Sequence, residues 1–176
     1  MPTTNDIAAR LGERLRADGL FHDAEVIEYP DGSHLLAILV PQGYRPAPAL
    51  RQHVLDVADL PGCEVSVALL PQIPRRADGS LDLDATLAKV GRAATVSTLV
   101  EPVTDGERLL VELVSAVSPG LRISVSDSLG DLGVDSLGVF ELSALIAERT
   151  GVSLSLESIY AAESLRALAA QIQAGG

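Results

Sequence analysis

Aromatic residues make up only 3% of this chain of 176 residues, and tryptophan is absent. Its cores must therefore be assembled from leucine, valine, isoleucine and alanine, within an apolar fraction of 47%. Cysteine occurs once, at Cys63, which excludes an internal disulfide. The chain has no apolar stretch of 18 residues and does not open on a charged-then-apolar leader, so a cytoplasmic location is expected. Positive charge is scarce: Lys89 is the single lysine and the net charge is −11. Nucleic acid and anionic membranes are thereby disfavoured as partners, and basic protein surfaces are favoured. His22, His34 and His53 are scattered without ligand spacing, so no metal site is expected. Ser126 and Ser128 have no histidine framework for nucleophilic catalysis, and no glycine-rich phosphate loop follows a strand.

The length exceeds the usual single-domain size of about 100 to 150 residues, which allows one large domain or two small ones, and two is the preferred reading. Residues 5–20 have apolar positions at Ile7, Ala8, Leu11 and Leu15, the spacing of an amphipathic helix closed by Gly19 and capped by Thr4 or Asn5. Residues 24–29 and 34–40 read as strands joined through Pro30, Asp31, Gly32 and Ser33. The second is continuously apolar, which requires cover on both faces. A helix over 49–60 and a strand over 64–70 complete a small α+β domain, residues 1–90. Residues 91–103 are small and polar with little period, and are expected to be a linker.

This order of elements, ending in Ile73-Pro74-Arg75-Arg76-Ala77-Asp78-Gly79-Ser80-Leu81-Asp82, resembles the small C-terminal subdomain of adenylate-forming enzymes. In that family a proline-rich turn ends in Gly-Lys, an apolar residue and Asp, and the lysine helps make the acyl-adenylate. Gly79, Leu81 and Asp82 match, but Ser80 stands in the lysine position. A hydroxyl supplies no permanent charge to an α-phosphate. The resemblance therefore implies a degenerate subdomain without adenylating activity, kept for recruiting a partner. The competing reading is half of a split adenylation enzyme acting in trans.

Residues 104–174 read as an all-α bundle of four helices. Thr104 and Glu107 form a capping box before Leu109, Leu110, Leu113, Val114 and Val117, and Pro119-Gly120 stops that helix. A loop over 121–135 carries anchors at Ile123, Val125, Leu129, Leu132 and Val134. Asp135 then caps a helix over 136–149, and Ser155 and Ser164 cap two more. Ser136 stands in the first turn of its helix, where unpaired N–H groups and the helix dipole favour an esterified phosphate.

Leu132-Gly133-Val134-Asp135-Ser136-Leu137 resembles the prosthetic-group motif of acyl and peptidyl carrier proteins, and the likeness extends over about residues 103–174. It implies that a phosphopantetheinyl transferase loads Ser136 with 4′-phosphopantetheine from coenzyme A. The arm would carry acyl or aminoacyl thioesters among the loading, tailoring or condensing enzymes of a biosynthetic pathway. The chain itself would be a carrier and not an enzyme. The competing reading keeps Asp135-Ser136 as an ordinary helix cap in an unmodified interaction module. Val139, Leu142, Leu145 and Ile146 form one apolar stripe, and Leu137, Phe140 and Ala144 a second, about 200° away at 100° per residue. With the first stripe in the core, Leu137, Phe140, Glu141 and Ala144 become a docking face; the alternative tucks Phe140 into the preceding loop.

Overall fold

The apolar run 35–40 is buried throughout in the computed structural model, which describes residues 3–29, 32, 34–58, 64–92 and 95–175. The run forms β2 (Leu35–Pro41), an inner strand of a four-stranded sheet ordered β1-β2-β3-β4. Its cover is double, as the unbroken apolarity requires. Leu35, Ala37 and Leu39 pack with Leu11 and Leu15 of α1 (Thr4–Ala17) and with Leu50 and Val54 of α2 (Ala47–Ala58). Leu36, Ile38 and Val40 face the other way, onto Ile73 and Val90, the latter from α3 (Leu83–Val90).

β1 (Phe21–Glu28) pairs antiparallel with β2, and β3 (Val65–Leu69) pairs parallel with it, α2 making the crossover. The parallel pairing is a property of the crossover that strand periodicity does not reveal. Pro30, Asp31 and Ser33 of the expected hairpin turn, and Cys63, lie outside the described residues. The cap of α1 is Thr3, one residue before the expected candidates: its hydroxyl accepts from the Asp6 N–H while the Asp6 carboxylate accepts from the Thr3 N–H.

The expected linker over 91–103 is corrected in two places. Val96–Thr98 is β4, paired antiparallel with β3, so the first compact unit runs over Met1–Thr98. Three residues are too few to show a period. What holds them is tertiary: Arg51 of α2, fully buried, donates to Ser97 Oγ at 2.6 Å, and Ser66 and Thr98 hydroxyls meet at 2.8 Å. Residues 99–103 belong to the second unit, Leu99–Gly176, where the Val100 N–H donates to Ser124 Oγ and the Val100 carbonyl accepts from the Val125 N–H.

That second unit holds four helices, α4 (Asp105–Val117), α5 (Ser136–Thr150), α6 (Leu156–Tyr160) and α7 (Leu165–Gly175). Their caps are the ones the sequence prescribes: Thr104, Asp135 and Ser155 each accept from a backbone N–H of the first turn, and Ser164 accepts from Ala167. The core is aliphatic, with Leu110, Leu113 and Val114 of α4, Leu142 and Ile146 of α5, Ile159 of α6 and Leu165 and Leu168 of α7. Glu107 has a second task beyond its capping box. One carboxylate oxygen accepts from the N–H groups of Val103 and Thr104, and the other from Arg166 Nε at 2.6 Å, so the start of α4 is tied to α7.

The Arg166 guanidinium, then the two amides, hold the Glu107 carboxyl down at about 2. A pKa depressed on folding contributes stability above the unfolded value, near 4.5, which is lost as pH falls toward about 2. The expected outcome is a melting temperature that drops between pH 5 and pH 2, by less in Glu107→Gln than in the parent; thermal denaturation of both across that range measures it. Because half of the Arg166 side chain is exposed, added salt should blunt the difference.

Candidate functional site

The segment leading into α5 is pinned before the helix begins. Leu129, Leu132 and Val134 are buried among the helices, and the Val134 N–H closes back onto the Leu129 carbonyl at 3.0 Å. Gly133 follows at φ +72, a left-handed conformation that side chains resist, and it turns the chain out of the core. Asp135 is then extended, and its Oδ1 accepts from the Gly138 N–H at 2.9 Å. Ser136 is the first residue of α5 and is exposed. Its hydroxyl makes no hydrogen bond among the described residues.

The tetrapeptide Asp-Ser-Leu-Gly occurs twice, at 127–130 and 135–138, and the fold treats the two copies in opposite ways. In the first, the Asp127 carboxylate is buried and accepts from the Ser124 N–H. Ser128 Oγ donates to Asp131 Oδ2 at 2.7 Å while accepting from the Asp131 N–H, and Leu129 is core. In the second, Asp135, Ser136 and Leu137 are all exposed. A phosphodiester requires a hydroxyl that is free to react and has room beyond it. Ser136 meets that requirement, at the positive end of a 15-residue helix, whereas Ser128 is engaged on both sides.

α5 turns Val139, Leu142 and Ile146 into the core, with Leu145 half-buried. Leu137 and Phe140 stand 63% and 61% exposed, and Glu141 and Ala144 are exposed beside them. Phe140 therefore does not tuck into the loop. Sequence periodicity missed Leu156 and Tyr160 on α6, which are also exposed. Their signal was the shortness of α6, which leaves Ile159 as its buried position. The four arginines of this unit are all spent in ion pairs: Arg108 with Asp105, Arg122 with Glu101, Arg149 with Glu112 and Arg166 with Glu107. Asp131, Asp135 and Glu141 take part in no ion pair among the described residues, so negative charge surrounds Ser136.

In the first unit, Ser80 sits on an exposed hairpin. The Arg76 N–H donates to the Ser80 carbonyl, Gly79 turns at φ +84, and Asp78 Oδ1 accepts from both the N–H and the hydroxyl of Ser80. Asp82 caps α3, and Lys89 lies exposed on that helix. The histidines are apart: His22 is exposed, His34 meets Ser66 Oγ at 2.8 Å, and His53 meets Asp18 at 2.6 Å. Among the described residues no helix is long and apolar enough to cross a membrane.

Comparison with known proteins bears on the same segment. Residues 108–172 match the family described as "Phosphopantetheine attachment site", whose members carry 4′-phosphopantetheine covalently. The chain is 30% identical over 103 residues to the AMB antimetabolite synthetase AmbE of Pseudomonas aeruginosa, covering 58% of this chain and 5% of that protein. It is 32% identical over 157 residues to CymA of Salinispora arenicola, described as a "Probable non-canonical nonribosomal peptide synthetase", covering 87% of this chain and 2% of that protein. The chain thus spans only a few per cent of these relatives. Among solved structures, the McyG A-PCP structure complexed with phenylalanyl-adenylate aligns over 94% of this chain and 30% of that one, at TM-score 0.40 and 14% identity.

The exposure of Phe140 sets an expected outcome. A core phenylalanine loses about 3 to 5 kcal/mol on truncation to alanine. Phe140→Ala should leave the melting temperature of the chain nearly unchanged, and a drop as large as that of a core variant such as Leu142→Ala would contradict this placement.

The pinned loop, the capped start of α5 and the exposed Ser136 thus all lie within residues 108–172, the span that matches the phosphopantetheine attachment site family.

Proposed function

We propose that the chain is a phosphopantetheine-dependent carrier that holds acyl or aminoacyl thioesters for the enzymes of a nonribosomal-peptide-like pathway, with Ser136 as the attachment residue. The observation that carries this reading is the free, exposed Ser136 hydroxyl at the start of α5, inside the matched span. The bound arm supplies a thiol for thioester chemistry. The chain's own residues supply position: Asp135 fixes the first turn, and the acidic surroundings suit a phosphopantetheinyl transferase with a basic docking surface. Leu137, Phe140, Glu141 and Ala144 form an apolar strip with a carboxylate, suited to enzymes that load, condense or tailor the cargo. The residues before Asp135-Ser136, Leu132-Gly133-Val134, lean toward acyl carriers.

The test is mass measurement after incubation with coenzyme A, magnesium and a broad-specificity phosphopantetheinyl transferase. One phosphopantetheine should be added to the parent and to Ser128→Ala, and none to Ser136→Ala. An unmodified parent protein would sink the carrier reading in favour of a plain interaction module.

The first unit we read as a degenerate adenylation-type subdomain that recruits a partner. Support comes from Ser80, whose hydroxyl is neutral and donated to Asp78, and from Lys89, the chain's single lysine, which is nine positions on and lies on α3. Loss of one charge-stabilising contact costs about 100- to 1,000-fold in rate. ATP–pyrophosphate exchange should therefore be absent with the chain alone. Removal of residues 1–98 should leave modification of Ser136 intact and slow processing by one cognate enzyme, through lost effective concentration. Equal rates with every pathway enzyme would rule recruitment out.

A further inference from the structure

The first unit contains a groove of about 520 Å³ between α1 and the segment that enters α3, with β1 as its floor. Two arginines fix its shape by converging on one carboxylate. Arg16 of α1 reaches Glu25 at 3.2 Å and donates to the Ala24 carbonyl at 2.9 Å. Arg75, across the groove, donates to Glu25 at 2.9 Å and to both oxygens of Asp23 at 2.8 Å. The walls are therefore held to the same strand before any ligand arrives, which lowers the cost of ordering on binding.

Its apolar lining is Ala8 and Ala9 of α1, Val26 and Ile27 of β1, and Leu81 and Leu83 before and at the start of α3, with Asn5, Arg16 and Glu25 lining it as well. Leu83 is 42% exposed, a large aliphatic side chain with one flank uncovered. The mouth carries Glu13 and Glu28, both exposed, and neither is in an ion pair among the described residues. Arg16 in the lining and Arg75 beside it are both already engaged by Glu25. The lining thus combines aliphatic side chains with carboxylates that have no cation beside them, which suits an aliphatic anchor flanked by positive charge on a larger molecule.

We infer that this groove docks a short segment of a partner protein in which an aliphatic side chain is flanked by lysine or arginine. The aliphatic group fills the space between Ala8, Ala9, Leu81 and Leu83, and the flanking cations meet Glu13 and Glu28. This deepens, and rests on, the reading of the first unit as a recruiting module, for it names the surface and the chemistry that surface selects. An anionic occupant such as nucleic acid or a lipid headgroup meets two unneutralised carboxylates and is rejected.

The probe is a fluorescein-labelled peptide, Ser-Gly-Lys-Leu-Lys-Leu-Lys-Gly-Ser, titrated into the full chain by anisotropy and by amide chemical-shift mapping. Its acidic counterpart, with glutamate for each lysine, is the control. The expected result is saturable binding of the basic peptide, weakened by salt, with shifts centred on Ala8, Ala9, Val26 and Leu83. Glu13→Lys combined with Glu28→Lys should weaken it about three- to tenfold, the scale of two exposed charge pairs, and Leu83→Asp should weaken it at least as much. Shifts centred on the carboxylates around Ser136, equal binding of the acidic peptide, or unchanged affinity in the charge-reversal variant would each overturn the inference. Phosphopantetheinylation is measured on the same samples. The groove variants should be modified like the parent and Ser136→Ala should bind peptide like the parent, so failure of the groove and failure of the carrier reading are told apart.

Discussion

The hydrogen bond from the Gly138 N–H to the Asp135 carboxylate decides where α5 begins, and the candidate site follows from that decision. A cap of this type contributes about 1 kcal/mol, a modest amount on its own. Its effect is positional. One residue earlier the chain is extended and one residue later it is helical, so Ser136 Oγ lies at the edge of the first turn. The cap could not hold that register if the preceding loop were free. Leu129, Leu132 and Val134 prevent it from drifting by sinking into the same core that α5 packs on.

The same core accounts for the surface around the serine. Because Val139, Leu142 and Ile146 must face inward, the opposite side of α5 is obliged to present Leu137, Phe140 and Ala144 outward. Charge then adds to shape. With the arginines of this unit consumed in ion pairs, two of them between helices, none is left to neutralise Asp131, Asp135 or Glu141. An acidic, partly apolar surface beside an exposed hydroxyl is the outcome of where the cations are used.

The first unit obeys a different constraint. Its central strand is apolar on both faces, so layers must form above and below the sheet, and the hairpin of residues 75–81 lies on the edge that results. Arg75 fastens that hairpin to β1.

Local chemistry was legible in the sequence wherever one short segment carried the whole signal. The caps at Thr104, Asp135, Ser155 and Ser164 and the double burial of residues 35–40 all depend on near neighbours, and the chain states them outright. Other features depend on partners distant along the chain. β4 exists because Arg51 and Ser66 reach it, β3 is parallel because α2 crosses over, and Glu107 meets Arg166 across 59 residues. The two Asp-Ser-Leu-Gly copies show the division most directly. Their composition is identical, and only the folded core, by burying Leu129 while leaving Leu137 in water, separates a closed turn from an open helix start. Burial is a property of what packs against a residue, and four letters of sequence do not contain it.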